Sequence, residues 1–225
     1  MVDRALGRAD RAFTLMELLV VVAIIALLAA LILPVLLQSR KHAQMGACIN
    51  NLSQLGKAAM LYRDDYDGSY ATHLTQLLPY VKTLVLFECP LDPTGGIIGA
   101  STRQLGSPVS YVYLSESEEF RRLLAEADPS HGIFACVLHG RPLRGWGLPP
   151  QRGAFNPIAT YTGLVLRVCT DGAVKRAQVA PRCYRLPNGA RLAGRSVWEL
   201  LTDAPCPPVF CSVPEGATPI PCENH

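Results

Sequence analysis

A carboxylate at the head of a long apolar run is the first feature that asks for chemistry. Glu17 directly precedes LLVVVAIIALLAALILPVLL, Leu18 to Leu37, twenty residues without a charge. An unpaired ionised side chain inside a bilayer costs a few kcal/mol, so an acid there is a functional residue in search of a cation. The alternative reading is an interfacial carboxylate near a helix N-terminus, where the helix dipole and headgroup water favour negative charge.

Eight cysteines are the second reactive set: Cys48, Cys89, Cys136, Cys169, Cys183, Cys206, Cys211 and Cys222, all beyond the apolar run. None forms the close C-x-x-C pair of a zinc site or a thioredoxin-like motif. Disulfides in an oxidising compartment are therefore expected, with reduced buried thiols as the alternative, and spacing alone does not set the pairing.

Asp64, Asp65 and Asp67 raise the question of calcium. An EF-hand loop counted from Asp65 needs glycine at its sixth position and glutamate at its twelfth, where Tyr70 and Gln76 stand. No metal and no cofactor are expected. His131 and His139, each followed by glycine, read as isolated turn or surface histidines. Nucleophile-elbow, metalloprotease, phosphate-loop and dinucleotide motifs are all missing from the sequence, so no catalytic residue is assigned and the chain reads as a non-enzyme. The net charge of +3 and scattered Lys and Arg residues carry no nucleic-acid footprint.

The elements that must position these residues begin with the apolar run. At about 1.5 Å per residue it spans a hydrocarbon core of roughly 30 Å, and it is longer than the apolar core of a cleaved signal peptide. Arg4, Arg8 and Arg11 precede it and Arg40 and Lys41 follow it, so charge orients it weakly. A short cytoplasmic N-terminal flank is the easier topology. Beyond the membrane, Met45, Cys48, Leu52, Leu55, Ala59, Tyr62 and Tyr66 recur at helical spacing and predict an amphipathic arm that ends near Asp67 and Gly68. Leu74 to Val81 reads as a short helix or turn. Strands are expected over Val109 to Leu114, Ile133 to Leu138 and Leu164 to Val168. The last turns through Thr170-Asp171-Gly172 into Ala173 to Val179, since Asp-Gly between apolar runs is a hairpin signal. RSVWELLTD reads as a short helix in a tail too poor in apolar residues for its own core, which Cys183, Cys206, Cys211 and Cys222 could staple.

The string RAFTLMELLVVVAIIALLAALILPVLLQSRKHAQMGACINNLSQLGKAAMLYRDDYDGSY, Arg11 to Tyr70, resembles the N-terminal region of type IV prepilins and type II secretion pseudopilins. The resemblance implies that prepilin peptidase cuts between Ala12 and Phe13 and that Phe13 becomes the N-methylated terminus. The family's residue before the cut is normally glycine, and Ala12 departs from it by one methyl group. The new α-ammonium at Phe13 would pair with Glu17 of a neighbour or of its own chain in a low-dielectric setting, drawing subunits into register. Pro34 matches a proline often found in this helix, permitting a kink or local melting; it is equally an ordinary membrane-helix proline.

CINNLSQLG at Cys48 and LFECPLD at Cys89 resemble paired motifs of a pilin-like subgroup, which implies a Cys48–Cys89 disulfide. GLVLRVCTDGAVKRAQV resembles the terminal hairpin of the same subgroup. The expected fold is α+β: a long N-terminal helix packed on a small antiparallel sheet, with a Cys/Pro-rich tail. The expected segments are a leader (1–12), a transmembrane and assembly helix (13–37), an arm (38–67), a globular domain (68–180) and an extension (181–225). The implied function is a structural subunit of a type IV pilus-like or pseudopilus filament, the alternative being a non-polymerising membrane-anchored binding domain with Trp146 and Trp198 as candidate surface aromatics. The implied partners are prepilin peptidase, other pilin subunits and the bacterial inner membrane, with the N-terminus cytoplasmic and the body extracytoplasmic before it enters a periplasmic or cell-surface filament.

Overall fold

The computed structural model describes residues 15–92, 105–114, 117–142, 161–211, 213 and 215–222. Arg11, Ala12, Phe13 and Trp146 lie outside them. The chain forms two compact units, the first ending at Ala43 and the second beginning at Gln44.

Helix α1 covers Leu15–Asp65. Leucine, valine and alanine dominate its first half, and the helix continues through Pro34, although a proline there leaves the Ala30 carbonyl without its usual donor. It stops where the sequence predicts. Asp67 and Gly68 take positive φ values of 50° and 81°, and the Gly68 N–H donates to the Arg63 carbonyl at 2.8 Å, closing the last turn in the manner of a Schellman cap. Two short 3-10 helices follow, Leu74–Tyr80 and Leu84–Phe87.

The main sheet is antiparallel. Strand β1 (Val112–Tyr113) pairs with β2 (Gly132–Cys136), which pairs with β4 (Tyr161–Cys169). Strands β3 (Arg141–Pro142) and β5 (Val174–Val179) both pair with β4 as well. The β4–β5 hairpin turns at Gly172, with φ of 80°, as the Asp-Gly signal predicts. Only two residues of the expected strand over Val109 to Leu114 pair as strand, though the whole stretch is buried.

Alternation along the strands splits the core into two faces. Tyr113, Phe134, Cys136, Leu166 and Val168 meet the stripe of α1 formed by Cys48, Leu52, Leu55, Ala59 and Tyr62. The helix comes so close to the sheet at Gly56 that a Cβ there would lie 2.4 Å from a Val168 methyl. Val112, Leu114, Ala135, Val137, Val165 and Ala177 face the other way. They are covered by helix α2 (Glu118–Ala127), through Phe120 and Leu124, and by helix α3 (Val197–Leu201), through Trp198, Leu200 and Leu201. The tail thus supplies core residues to the sheet, and Trp198, 1% exposed, is no surface aromatic. Arg167, buried on this face, pairs with Asp203 of the tail. A second antiparallel sheet joins β6 (Arg182–Arg185) to β7 (Arg191–Gly194) and β8 (Thr218–Pro219), and disulfides link Cys183 to Cys222 and Cys206 to Cys211.

His131 closes a turn, its backbone N–H donating to the Asp128 carbonyl at 3.0 Å, but it is no surface residue, being 2% exposed. Its Nδ1 faces the Asp128 carbonyl at 2.9 Å and must donate to it, which leaves Nε2 to accept from the Tyr70 hydroxyl at 3.3 Å. Burial lowers its pKa below the ordinary histidine value, against the pull of Asp128. The unfolded chain therefore binds a proton that the folded chain refuses just below about pH 6.5, so stability is full above that pH and declines as pH falls through the window. His131→Asn is expected to flatten the dependence of the thermal midpoint on pH between about pH 7 and pH 5. Melting curves followed by circular dichroism across that range check this; an unchanged slope in the variant would assign the dependence to other groups.

Candidate functional site

Every residue from 15 to 43 on α1 is exposed. Leu15, Leu18, Leu19, Ile24, Ile25, Leu28, Leu31 and Leu36 are more than half uncovered. A continuous apolar surface of this length far exceeds what a soluble chain leaves to water and must be covered by lipid or by another protein. The segment is long and apolar enough to cross a membrane. Glu17 sits in the first turn of the helix, where the positive end of the helix dipole favours a carboxylate. Pro34 lies near the other end of the run. Ala12 and Phe13, the other residues of the implied processing and assembly motif, lie outside the described residues.

From Gln44 onward α1 changes character, and its stripe is buried against the sheet as the spacing predicts; only Tyr66 stays about half exposed, stacked on Tyr62 at 4.2 Å. The cysteines on this side of the molecule depart from the expected disulfide. Cys48 and Cys89 are both unbonded, as are Cys136 and Cys169. Cys136 and His139 join Cys48 and Cys89, and the four ligand atoms all lie within 4.8 Å of one another. The Cys89 sulfur is 3.6 Å from His139 Nε2. Hydrogen bonds from Cys136 and Cys48 lower the Cys89 thiol below its ordinary pKa, and burial raises Cys136.

The family described as the prokaryotic N-terminal methylation motif matches residues 7–33, which hold Ala12, Phe13 and Glu17. Over 94 residues the chain is 37% identical to the type IV wide pilus major component PilA4 of Thermus thermophilus, a stretch covering 42% of this chain and 68% of that relative. The chain belongs to the type IV pilin family. No solved structure matches it.

For a member of the pilin family the placement is coherent. Glu17 and Pro34 both sit on the exposed apolar length of α1, and the cysteines lie in the folded body. Sequence reasoning missed the convergence of Cys48, Cys89, Cys136 and His139, because it looked for C-x-x-C. The signal that was present is Cys136-Val137-Leu138-His139, which puts a thiol and an imidazole three residues apart at a strand end.

Proposed function

We propose that this chain is a structural subunit of a filament of the type IV pilus or type II secretion pseudopilus kind. In this reading prepilin peptidase releases residues 1–12, Phe13 becomes the methylated terminus, and the subunit passes from the inner membrane into the filament through α1. The carrying observation is the wholly exposed apolar length of α1, residues 15–37, headed by Glu17. One surface serves two environments in turn: lipid before assembly, and the apolar helices of neighbouring subunits afterwards. The relative named as a pilus component supports the pilus over the pseudopilus.

The Phe13 α-ammonium and the Glu17 carboxylate belong together on this account. Each is costly to place alone in a low-dielectric filament core, and together they offset much of that cost. Ala12 presents the smallest side chain after glycine to the peptidase.

Filaments sheared from the cells that carry this chain, digested and analysed by mass spectrometry, are expected to contain an N-terminal peptide that begins at N-methylated Phe13. Retention of residues 1–12 on every copy, with the chain confined to the membrane fraction, would instead establish a membrane-anchored domain that does not polymerise.

A further inference from the structure

We propose that Cys48, Cys89, Cys136 and His139 are the four ligands of a structural zinc ion that pins the arm of α1 to the main sheet. Three thiolates and one imidazole are a recurrent zinc donor set, tetrahedral with Zn–S near 2.3 Å and Zn–N near 2.0 Å. Those bond lengths imply ligand-to-ligand edges of about 3.8 Å between sulfurs and about 3.6 Å between sulfur and nitrogen. The observed Cys89 Sγ to His139 Nε2 distance is 3.6 Å, and no pair among the four ligand atoms exceeds 4.8 Å. The set closes around a zinc ion with adjustments of an ångström or less.

The ligands are delivered by rigid pieces of the fold. Cys48 is fully buried on α1 and Cys136 is the last residue of β2. His139 lies in the turn that follows, closed by the Gly140 N–H donating to the Val137 carbonyl at 3.1 Å. That turn is pressed against β4 so tightly that a Cβ on Gly140 would meet the Thr162 carbonyl oxygen at 2.3 Å. Cys89 follows the second 3-10 helix, and the Glu88 carbonyl beside it accepts from Asn51 Nδ2 of α1 at 3.1 Å and from the Tyr111 hydroxyl at 3.3 Å.

Outer contacts suit a metal thiolate centre. The Tyr111 hydroxyl lies 3.6 Å from the Cys48 sulfur and shares its one proton between that sulfur and the Glu88 carbonyl. Donors to ligating sulfur offset the excess negative charge that three thiolates leave on a divalent cation and fix the ligands' orientation. A disulfide would employ two of the three thiols and strand the third with an imidazole in the core. Two disulfides do form in the tail, but this cluster holds an odd number of thiols and a histidine.

The test uses the full-length chain, purified in detergent without a metal-affinity step, with metal measured by inductively coupled plasma mass spectrometry. About one zinc per chain is expected, falling at least ~10-fold in Cys136→Ser and His139→Ala and unchanged in Cys169→Ser, whose thiol lies outside the cluster. The cobalt-substituted wild type is expected to show thiolate-to-metal charge transfer and the intense visible bands of a tetrahedral site, a readout that does not depend on the variants folding. Alkylation under denaturing, non-reducing conditions after metal removal should tag Cys48, Cys89, Cys136 and Cys169. A wild-type chain without zinc and without a cobalt spectrum overturns the proposal, as does a Cys48–Cys89 disulfide in the alkylation map or full zinc retention by folded His139→Ala. The outcome is independent of whether the chain polymerises.

Discussion

Glu17→Ala is expected to leave the chain in the membrane and to reduce its recovery in sheared filaments by tenfold or more. Removing the carboxylate makes the head of the apolar run more apolar, so insertion is not impaired; on insertion scales the charged side chain opposes it by up to about 3 kcal/mol. Assembly is another matter, because the Phe13 α-ammonium of the processed subunit then enters an apolar filament core with nothing opposite it. Breaking one partner of a buried ion pair costs about 3 to 5 kcal/mol, and each 1.4 kcal/mol is about tenfold in an equilibrium constant. Glu17→Gln keeps the shape and loses the charge, so it should fail like the alanine variant, whereas Glu17→Asp should assemble in part. Immunoblots of membrane and sheared fractions decide the matter. Wild-type recovery of Glu17→Ala in filaments would sink the pairing account and leave Glu17 as an interfacial carboxylate.

How far such a site can be read from sequence depends on whether its parts are local. The apolar run, Glu17 at its head and the buried stripe Cys48, Leu52, Leu55, Ala59 and Tyr62 are legible because helical spacing carries their whole meaning. The Asp171-Gly172 turn is legible for the same reason, since turn chemistry is set by the residues themselves. Helix α2 was equally local and went unread, although Ser117 caps it through Phe120 N–H and Glu118 and Glu119 occupy its first turn. What no local pattern shows is convergence: Cys48, Cys89 and the Cys136–His139 turn come from three separate pieces of chain, and only the packing of α1 on the sheet brings them within 4.8 Å. The tail was misjudged on similar grounds. A few apolar residues in a polar stretch cannot build a core of their own, but Trp198, Leu200 and Leu201 need none, since they complete a face that the sheet already offers.

That shared second face leads to the other large effect, the loss expected on Trp198→Ala. The indole is 1% exposed, meets Phe120 of α2 edge-on at 5.7 Å and stacks on Phe210 at 5.7 Å. Its Nε1 donates to the Ala204 carbonyl at 3.1 Å. The short helix that presents it is held from both sides: Ser196 and Glu199 form a capping box, and Glu199 also takes the Arg182 guanidinium of β6 at 2.6 Å. These supports hold the backbone in place, so a truncated side chain leaves a void rather than a collapse. Trp→Ala in such a setting costs about 3 to 5 kcal/mol, a large share of a typical domain stability of about 5 to 15 kcal/mol. For a chain of this size the thermal midpoint should fall by roughly 10 °C. Trp198→Phe, which keeps one six-membered ring in the site and loses the pyrrole part of the indole with its donor, should fall by less. Near-ultraviolet circular dichroism of the detergent-solubilised chain measures both. A shift of a degree or two for the alanine variant would mean that the tail does not close the sheet's second face, and that residues 181–225 are the loosely attached extension their composition suggests.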